Sequence, residues 1–217
     1  MDRAIDYAQL PIPSKPDLGE ATGPALNVCA YVYRHANGQA EGAITRKITP
    51  HQHGDQKSFT QSRWNGNSWE PTRFAPLPYR LPELIEGVKA GREIYVVEGE
   101  KDVKRAMQAG QVATCNAMGA GGWTPEHAKW LHGAGRVIVV ADRDRPGYQH
   151  AAKVADTLHG HVGEVRVLQA AAGKDLSDHL DAGHRIEDLE MVPYLDRHYR
   201  QPRPNPQQQQ HQNTRSR

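Results

Sequence analysis

Hydrophobic and polar positions follow two rhythms along the chain. Between Asn27 and Trp69 short apolar runs alternate with polar residues and are cut by turn chemistry: residues 28–34, Asn37-Gly38, 43–49, a polar loop, 58–64, then Asn65-Gly66 ahead of Trp69. Asn-Gly accepts the positive φ that tight hairpins need, so this stretch predicts a small antiparallel meander. From Gly91 the rhythm changes. Apolar, largely β-branched runs at 94–97, 112–115, 137–141 and 165–168 are separated by helical spacing at 102–109, 125–131 and 148–158. Strands without a polar face, alternating with helices, predict a parallel sheet covered on both faces, an α/β layer over about 91–183. A helix over 82–90, with Pro in its first turn and Gly91 at its end, leads into it.

The flanks differ from both. Residues 1–26, rich in Pro, Gly and polar side chains, predict a flexible arm, and 201–217, rich in Gln, Pro and Arg, a disordered tail. Between them the expected units are a β-rich subdomain over 27–78, an α/β domain over 79–185 and a C-terminal helix or extension over 186–200, with a last helix reaching from Ile186 to Tyr199. The formal net charge of +2 hides an asymmetry, because residues 196–217 hold five arginines against one acid. The remainder is slightly negative, so the folded part is not a simple basic nucleic-acid binder. No apolar run is long enough to cross a bilayer, and the start lacks the basic and apolar regions of a signal peptide. The expectation is a cytoplasmic protein without a membrane partner. Cys29 and Cys115 alone can build neither a disulfide framework nor a four-ligand zinc site. His51 and His53 share a loop without cysteine partners, and the other histidines are expected at the surface.

Acids gather where the strands end. Glu98 follows the run 94–97, Asp142 and Asp144 follow 137–141, and Asp175 and Asp178 follow 165–168 after a short loop. In an open parallel sheet ligands bind beyond the carboxyl ends of the strands. Clustered carboxylates raise one another's pKa unless a cation neutralises them, and Mg²⁺ prefers such oxygen ligands, completed by water and substrate phosphates. In an extended segment Asp142 and Asp144 point the same way while Arg143 points elsewhere. Asp102, close to a helix start, also suits a capping role. The run Gly119–Gly122 lacks both the dinucleotide spacing and the phosphate-loop lysine, and reads as a turn lining the pocket.

Three stretches spell a known pattern: IYVVEGEKD at 94–102, VIVVADRDRPG at 137–147 and GKDLSD at 173–178. Together they resemble the Toprim signature, and most closely the Toprim module of phage primase-helicases and plasmid primases, in which a stretch like YRLPE at 79–83 leads into the first strand. The resemblance covers 79–181 well and 30–69 loosely. It implies a Rossmann-like Toprim sheet flanked by helices, preceded here by the small antiparallel β subdomain. It implies Glu98 as general base or acid, with Asp102, Asp142 and Asp144 as further catalytic residues. Glu98, Asp142, Asp144, Asp175 and Asp178 become the candidate ligands of Mg²⁺ or Mn²⁺.

The activity implied is nucleotidyl transfer in DNA replication, joining nucleoside triphosphates on a single-stranded DNA template. Lys101, Arg143, Arg145 and Lys174 lie beside the acids as candidate phosphate contacts. Arg46, Lys47, Lys57, Arg63 and Trp64 in the meander combine charge with an aromatic ring, as single-strand binding requires. Template selection and unwinding are expected to fall to partners, a separate helicase among them. The same cluster would also serve a Toprim nuclease, and a non-catalytic single-strand-binding adaptor is the other alternative.

Overall fold

The structure is a computed structural model that describes residues 10–12 and 14–200. The first nine residues of the expected arm and the tail expected over 201–217 lie outside the described residues. Strands β1 (Leu26–Arg34), β2 (Ala40–His51), β3 (Gly54–Trp64) and β4 (Trp69–Glu70) form an antiparallel meander in chain order. Positive φ at Gly38 and Gly66 makes two of its turns. The second hairpin is longer than its apolar pattern predicts, with Pro50 opposite Asp55 and His51 opposite Gly54. Backbone pairing needs no apolar side chain, so the polar end of a hairpin leaves no hydrophobic signal. Part of the arm lies along this end, where Thr22 donates to Pro50 and Gln52 donates to Glu20 through the backbone.

The second sheet has the order β6-β5-β7-β8-β9. Strands β5 (Ile94–Val96), β6 (Val112–Thr114), β7 (Arg136–Ala141) and β8 (Glu164–Gln169) are parallel, and β9 (Glu190–Met191) closes the edge antiparallel to β8. Helices α1 (Leu81–Lys89), α2 (Glu100–Gln108), α3 (Pro125–Ala128), α4 (Arg145–Leu158), α5 (Leu176–Asp181) and α6 (Pro193–Arg200) cover it. The chain leaves β5 toward β6, then returns past β5 to β7. Right-handed crossovers therefore place α2 on one face and α3 and α4 on the other. The packing agrees: α2 meets α5, while α4 meets α3 and α6. Gly87 lets α1 approach β6, since a Cβ there would stand 2.7 Å from a Val112 methyl. Among the described residues no helix is long and apolar enough to cross a membrane.

One buried cluster joins the two sheets, running from Tyr31, Tyr33 and Ile44 into Leu81, Val97 and Val103. The Tyr33 ring lies 5.0 Å from that of Phe74 and 5.1 Å from that of Tyr79. Three local expectations need correction. The helix expected over 125–131 tightens to a 3₁₀ turn at Lys129–Leu131. The helix or frayed extension expected over 186–199 is a 3₁₀ turn, then β9, then α6, because Pro193 has no N–H to continue a helix and instead starts one. And His127, His150 and His179 are buried rather than at the surface. His179 replaces missing backbone partners, its Nδ1 accepting from the Ala171 amide at 3.2 Å and its Nε2 bonding the Arg185 carbonyl at 2.8 Å.

Candidate active site

Glu98 and Asp142 stand at the ends of adjacent strands. Val96 of β5 is level with Val139 of β7, so both strands run out at the same edge. The crossovers on either side of β5 and β7 leave in opposite directions, which opens a crevice between their ends. Past β5 the chain turns through Gly99 into α2; past β7 it turns into α4, capped by Asp144, whose Oδ1 accepts the Gly147 amide at 2.8 Å. Gly147 is sterically required, because a Cβ there would sit 2.5 Å from the Asp142 carbonyl oxygen. Asp-x-Asp-x-x-Gly is thus a physical unit: one Asp faces the crevice, the next caps the helix, and Gly lets the first turn close onto the strand end.

The loop after β8 brings the third group of acids. Asp175 caps α5 by accepting the Asp178 amide at 2.7 Å, and its Oδ2 lies 3.7 Å from Lys101 Nζ. Asp178 Oδ2 accepts the Lys174 amide at 2.9 Å, which holds its carboxyl below the usual range. Asp102 is buried in the first turn of α2, where both the amide and the hydroxyl of Ser177 donate to its Oδ1. Lys174 reaches into the centre, its Nζ 2.9 Å from Asp144 Oδ2 and 3.5 Å from Asp142 Oδ2. Arg143 turns to the outer side, with Nη1 3.4 Å from the Gly173 carbonyl, and Arg145 opens α4.

Burial dominates the electrostatics. It pushes Asp142 up to about 8, with the charges of Glu98 and Asp102 adding to the effect. Glu98 is raised by burial and by Asp144, against the lowering influence of Lys174 and of a bond from the Ala120 amide. Asp102 is raised by burial and by Asp175, although the Ser177 bonds oppose this. Glu98 Oε2 is buried without a hydrogen-bond partner. Among the described residues no three His, Cys, Asp or Glu side chains form a ready-made cation cage.

A cleft of about 330 Å³ opens over this edge, lined by Glu98, Gly99 and Asp142 on one side, Met118 and Gly119 on another, and Ile44 and Phe59 of the meander. A Cβ at Gly99 would meet nothing closer than Asp102 Oδ2 at 3.6 Å, so the protein's own packing does not demand glycine there. The Gly119–Gly122 turn is braced from α4, where His150 Nδ1 accepts the Gly121 amide at 3.4 Å and Lys153 Nζ donates to the Gly121 carbonyl at 3.1 Å.

In the meander, Arg46 lies opposite Phe59, and Ile48 lies opposite Lys57. Alternation therefore puts Arg46, Lys57 and Phe59 on the face of Ile44, toward the cleft, and Lys47 and Trp64 on the reverse. Trp64 packs against Trp69, ring centres 5.1 Å apart, and Arg63 Nε is 3.4 Å from the buried Glu41. Three of the five meander candidates, Arg46, Lys57 and Arg63, thus share the face of Phe59 by register, but the cleft lining itself takes Ile44 and Phe59 from the meander and none of the five.

Sequence reasoning missed Ser177, the Met118 wall, and a link between the sheets in which Tyr33 donates to the buried Glu100 at 2.7 Å. Tyr31 and Tyr33, two apart in a strand, signalled a shared face. Nothing local singled out Glu100 or Ser177.

Comparison with known proteins bears on the same stretch. Residues 93–184 match the Toprim domain family. The chain is 33% identical over 109 residues to a DNA primase of Deinococcus radiodurans, covering 49% of this chain and 19% of that one. It is 29% identical over 108 residues to the Gene 57 protein of Mycobacterium phage D29, covering 48% of this chain and 68% of the phage protein. The catalytic core of Escherichia coli primase superposes with a TM-score of 0.54 at 20% identity, over 76% of this chain and 53% of that core. The chain therefore spans about a fifth of the Deinococcus primase and about half of the solved core. Strand order, motif placement and likeness agree that residues 93–184 of this chain are a Toprim domain, similar to those of DNA primases.

Proposed function

We propose that the chain is a primase-like nucleotidyltransferase that joins nucleoside triphosphates on single-stranded DNA, with Mg²⁺ or Mn²⁺ held by Glu98, Asp142 and Asp144. The observation that carries this reading is the meeting of strand-end carboxylates with an open cleft roofed by an exposed aromatic residue, Phe59. The donor set fits a hard divalent cation. Glu98 Oε2 is buried and unpartnered, and burial, with the charges of Glu98 and Asp102, raises Asp142 to about 8, as expected of an oxygen site suited to a cation. With no complete cage among the described side chains, water and substrate phosphates would supply the remaining ligands. The bound cation would offset the charge that spreads over the phosphate oxygens during transfer.

The chain's own groups divide the work. Glu98, raised by burial, is suited to take the proton of an attacking hydroxyl. Asp142 and Asp144 hold positive charge at the crevice, and Ser177 with Asp102 fixes α5 against α2. Asp175 and Asp178 shape the loop that carries Lys174. Lys101 and Lys174 stand on the crevice side for phosphate oxygens, and Arg145 lies at its rim. Phe59 offers a stacking surface for a base, with Arg46 and Lys57 for the template backbone. Replication in the cytoplasm beside a separate helicase belongs to the same reading.

The test offers labelled single-stranded DNA, ribo- and deoxynucleoside triphosphates and Mg²⁺ or Mn²⁺ to the full chain. New oligomers, lost in Asp142→Asn and Asp144→Asn, are expected. A shortened template instead would convert the reading to a nuclease. Neither product, with template binding intact, would reject catalysis.

A further inference from the structure

We propose that Lys174 is a built-in counter-cation, whose ammonium sits between Asp142 and Asp144 in the metal-free protein and swings out of the crevice when a divalent cation takes its place. This rests on the reading of the acids as metal ligands, and adds a step that precedes substrate binding.

The geometry sets Lys174 apart from a surface ion pair. Its ammonium bridges two carboxylates from one strand end, and these side chains are only 12% and 15% exposed. Buried acids this close repel one another unless positive charge stands between them. Lys101, the other lysine at the edge, reaches Asp175 at 3.7 Å. Of the two arginines beside the pair, Arg143 directs its guanidinium to the Gly173 carbonyl and Arg145 opens α4. Lys174 thus supplies the local compensation for Asp142 and Asp144.

The backbone and the side chain of Lys174 are built for different tasks. Its amide is tied to Asp178 Oδ2 and its carbonyl to the Arg143 amide, both at 2.9 Å. Gly173 ahead of it has a φ of 75°, where a Cβ would collide with the Asp178 side chain. The peptide unit is therefore fixed to both the strand end and α5. The side chain is 55% exposed and flexible, so the ammonium can move to solvent or to a phosphate while the loop stays in place. Ammonium and divalent cation compete for the same oxygens, so binding of one must weaken binding of the other.

The experiment measures Mn²⁺ binding to the full chain by calorimetry and by electron paramagnetic resonance, without nucleotide. Lys174→Ala is expected to bind Mn²⁺ about fivefold more tightly or better, the lower range of such couplings, and Lys174→Arg to stay near the wild type. The metal-free Lys174→Ala protein should melt at lower temperature and gain more from Mn²⁺ than the wild type. In the wild type, Mn²⁺ should increase amine labelling of Lys174 relative to Lys104, read by mass spectrometry. Weaker or unchanged Mn²⁺ binding by Lys174→Ala, or a fall in Lys174 labelling, would overturn the displacement while leaving the acids as metal ligands. Failure of the wild type to bind Mn²⁺ at millimolar concentration, where Asp142→Asn behaves the same, would overturn the metal reading and the displacement together.

Discussion

The two sheets present functional side chains in different ways. At the edge of the parallel sheet, topology determines which residues meet: β5 and β7 are neighbours whose crossovers diverge, so whatever follows Val97 and Ala141 enters one crevice. In the meander every second residue faces the cleft, and a shift of one residue would exchange Arg46, Lys57 and Phe59 for Lys47 and Ser58. A strand end is a position, whereas a strand face is a choice of register. The acids consequently belong to a frame in which Asp144, Asp175 and Asp178 accept backbone amides, while the meander contributes a wall whose make-up is set by register.

The sharpest way to separate the two regions is to remove chemistry from one and leave the other intact. Glu98→Gln keeps the shape of the crevice and loses the carboxylate proposed to accept a proton. Primer synthesis is expected to fall by about 10²–10⁴-fold, the span typical of general acid–base residues. Single-strand affinity, measured by fluorescence anisotropy, should stay unchanged, because the proposed template contacts lie on β2 and β3. A parallel loss of affinity would place Glu98 in template binding instead.

The complementary experiment divides the meander by face. Phe59→Ala is expected to weaken single-strand binding by about 1–3 kcal/mol, the value of one stacked base. Arg46→Ala should weaken it less and reduce its salt dependence. Lys47→Ala, on the reverse face, should leave affinity within error. Equal losses on both faces would mean that the strand wraps the sheet and that the cleft face has no special role.

How far the sequence could be read follows the same division. Glu98, Asp142 and Asp144 were legible because continuous apolar runs end abruptly in acids, and parallel strands put those ends on one edge. The four parallel strands and the meander were legible from period alone. The β9 edge strand was not, since two residues carry no period, and neither was the break at Pro193 inside an otherwise helical pattern. Which meander residues face the cleft depended on a cross-strand register that alternation does not number. Glu100 and Ser177 are polar residues that are buried only because Tyr33 and Asp102 arrive from distant positions. His150 and His179 were misread for the same reason, since their partners are backbone groups of other loops, whereas His127 closes the start of its own helix on Thr124.

His127 and His150 allow the smallest contrast, between buried imidazoles and the carboxylate edge. Burial lowers His127 and His150 to about 4 each, whereas it raises Asp142 to about 8. From pH 6.5 down toward 4 the unfolded chain takes up protons that the folded histidines refuse, so these two groups destabilise the fold as pH falls. From about 4 up to 8 the unfolded chain releases a proton that folded Asp142 retains, so this group destabilises the fold as pH rises. The two effects oppose one another below pH 6.5, and above it only the carboxyl contribution still changes. Metal-free protein unfolded in urea should therefore lose stability between pH 6.5 and 8, by at most about 1.4 kcal/mol per pH unit for one proton. Asp142→Asn should remove that loss, and saturating Mg²⁺ should flatten it by favouring the ionised carboxylate. His150→Gln should leave the alkaline limb unchanged and make the acid limb shallower. An alkaline limb that survives Asp142→Asn would mean that another carboxyl raised by burial, Glu98 or Asp102, carries the loss.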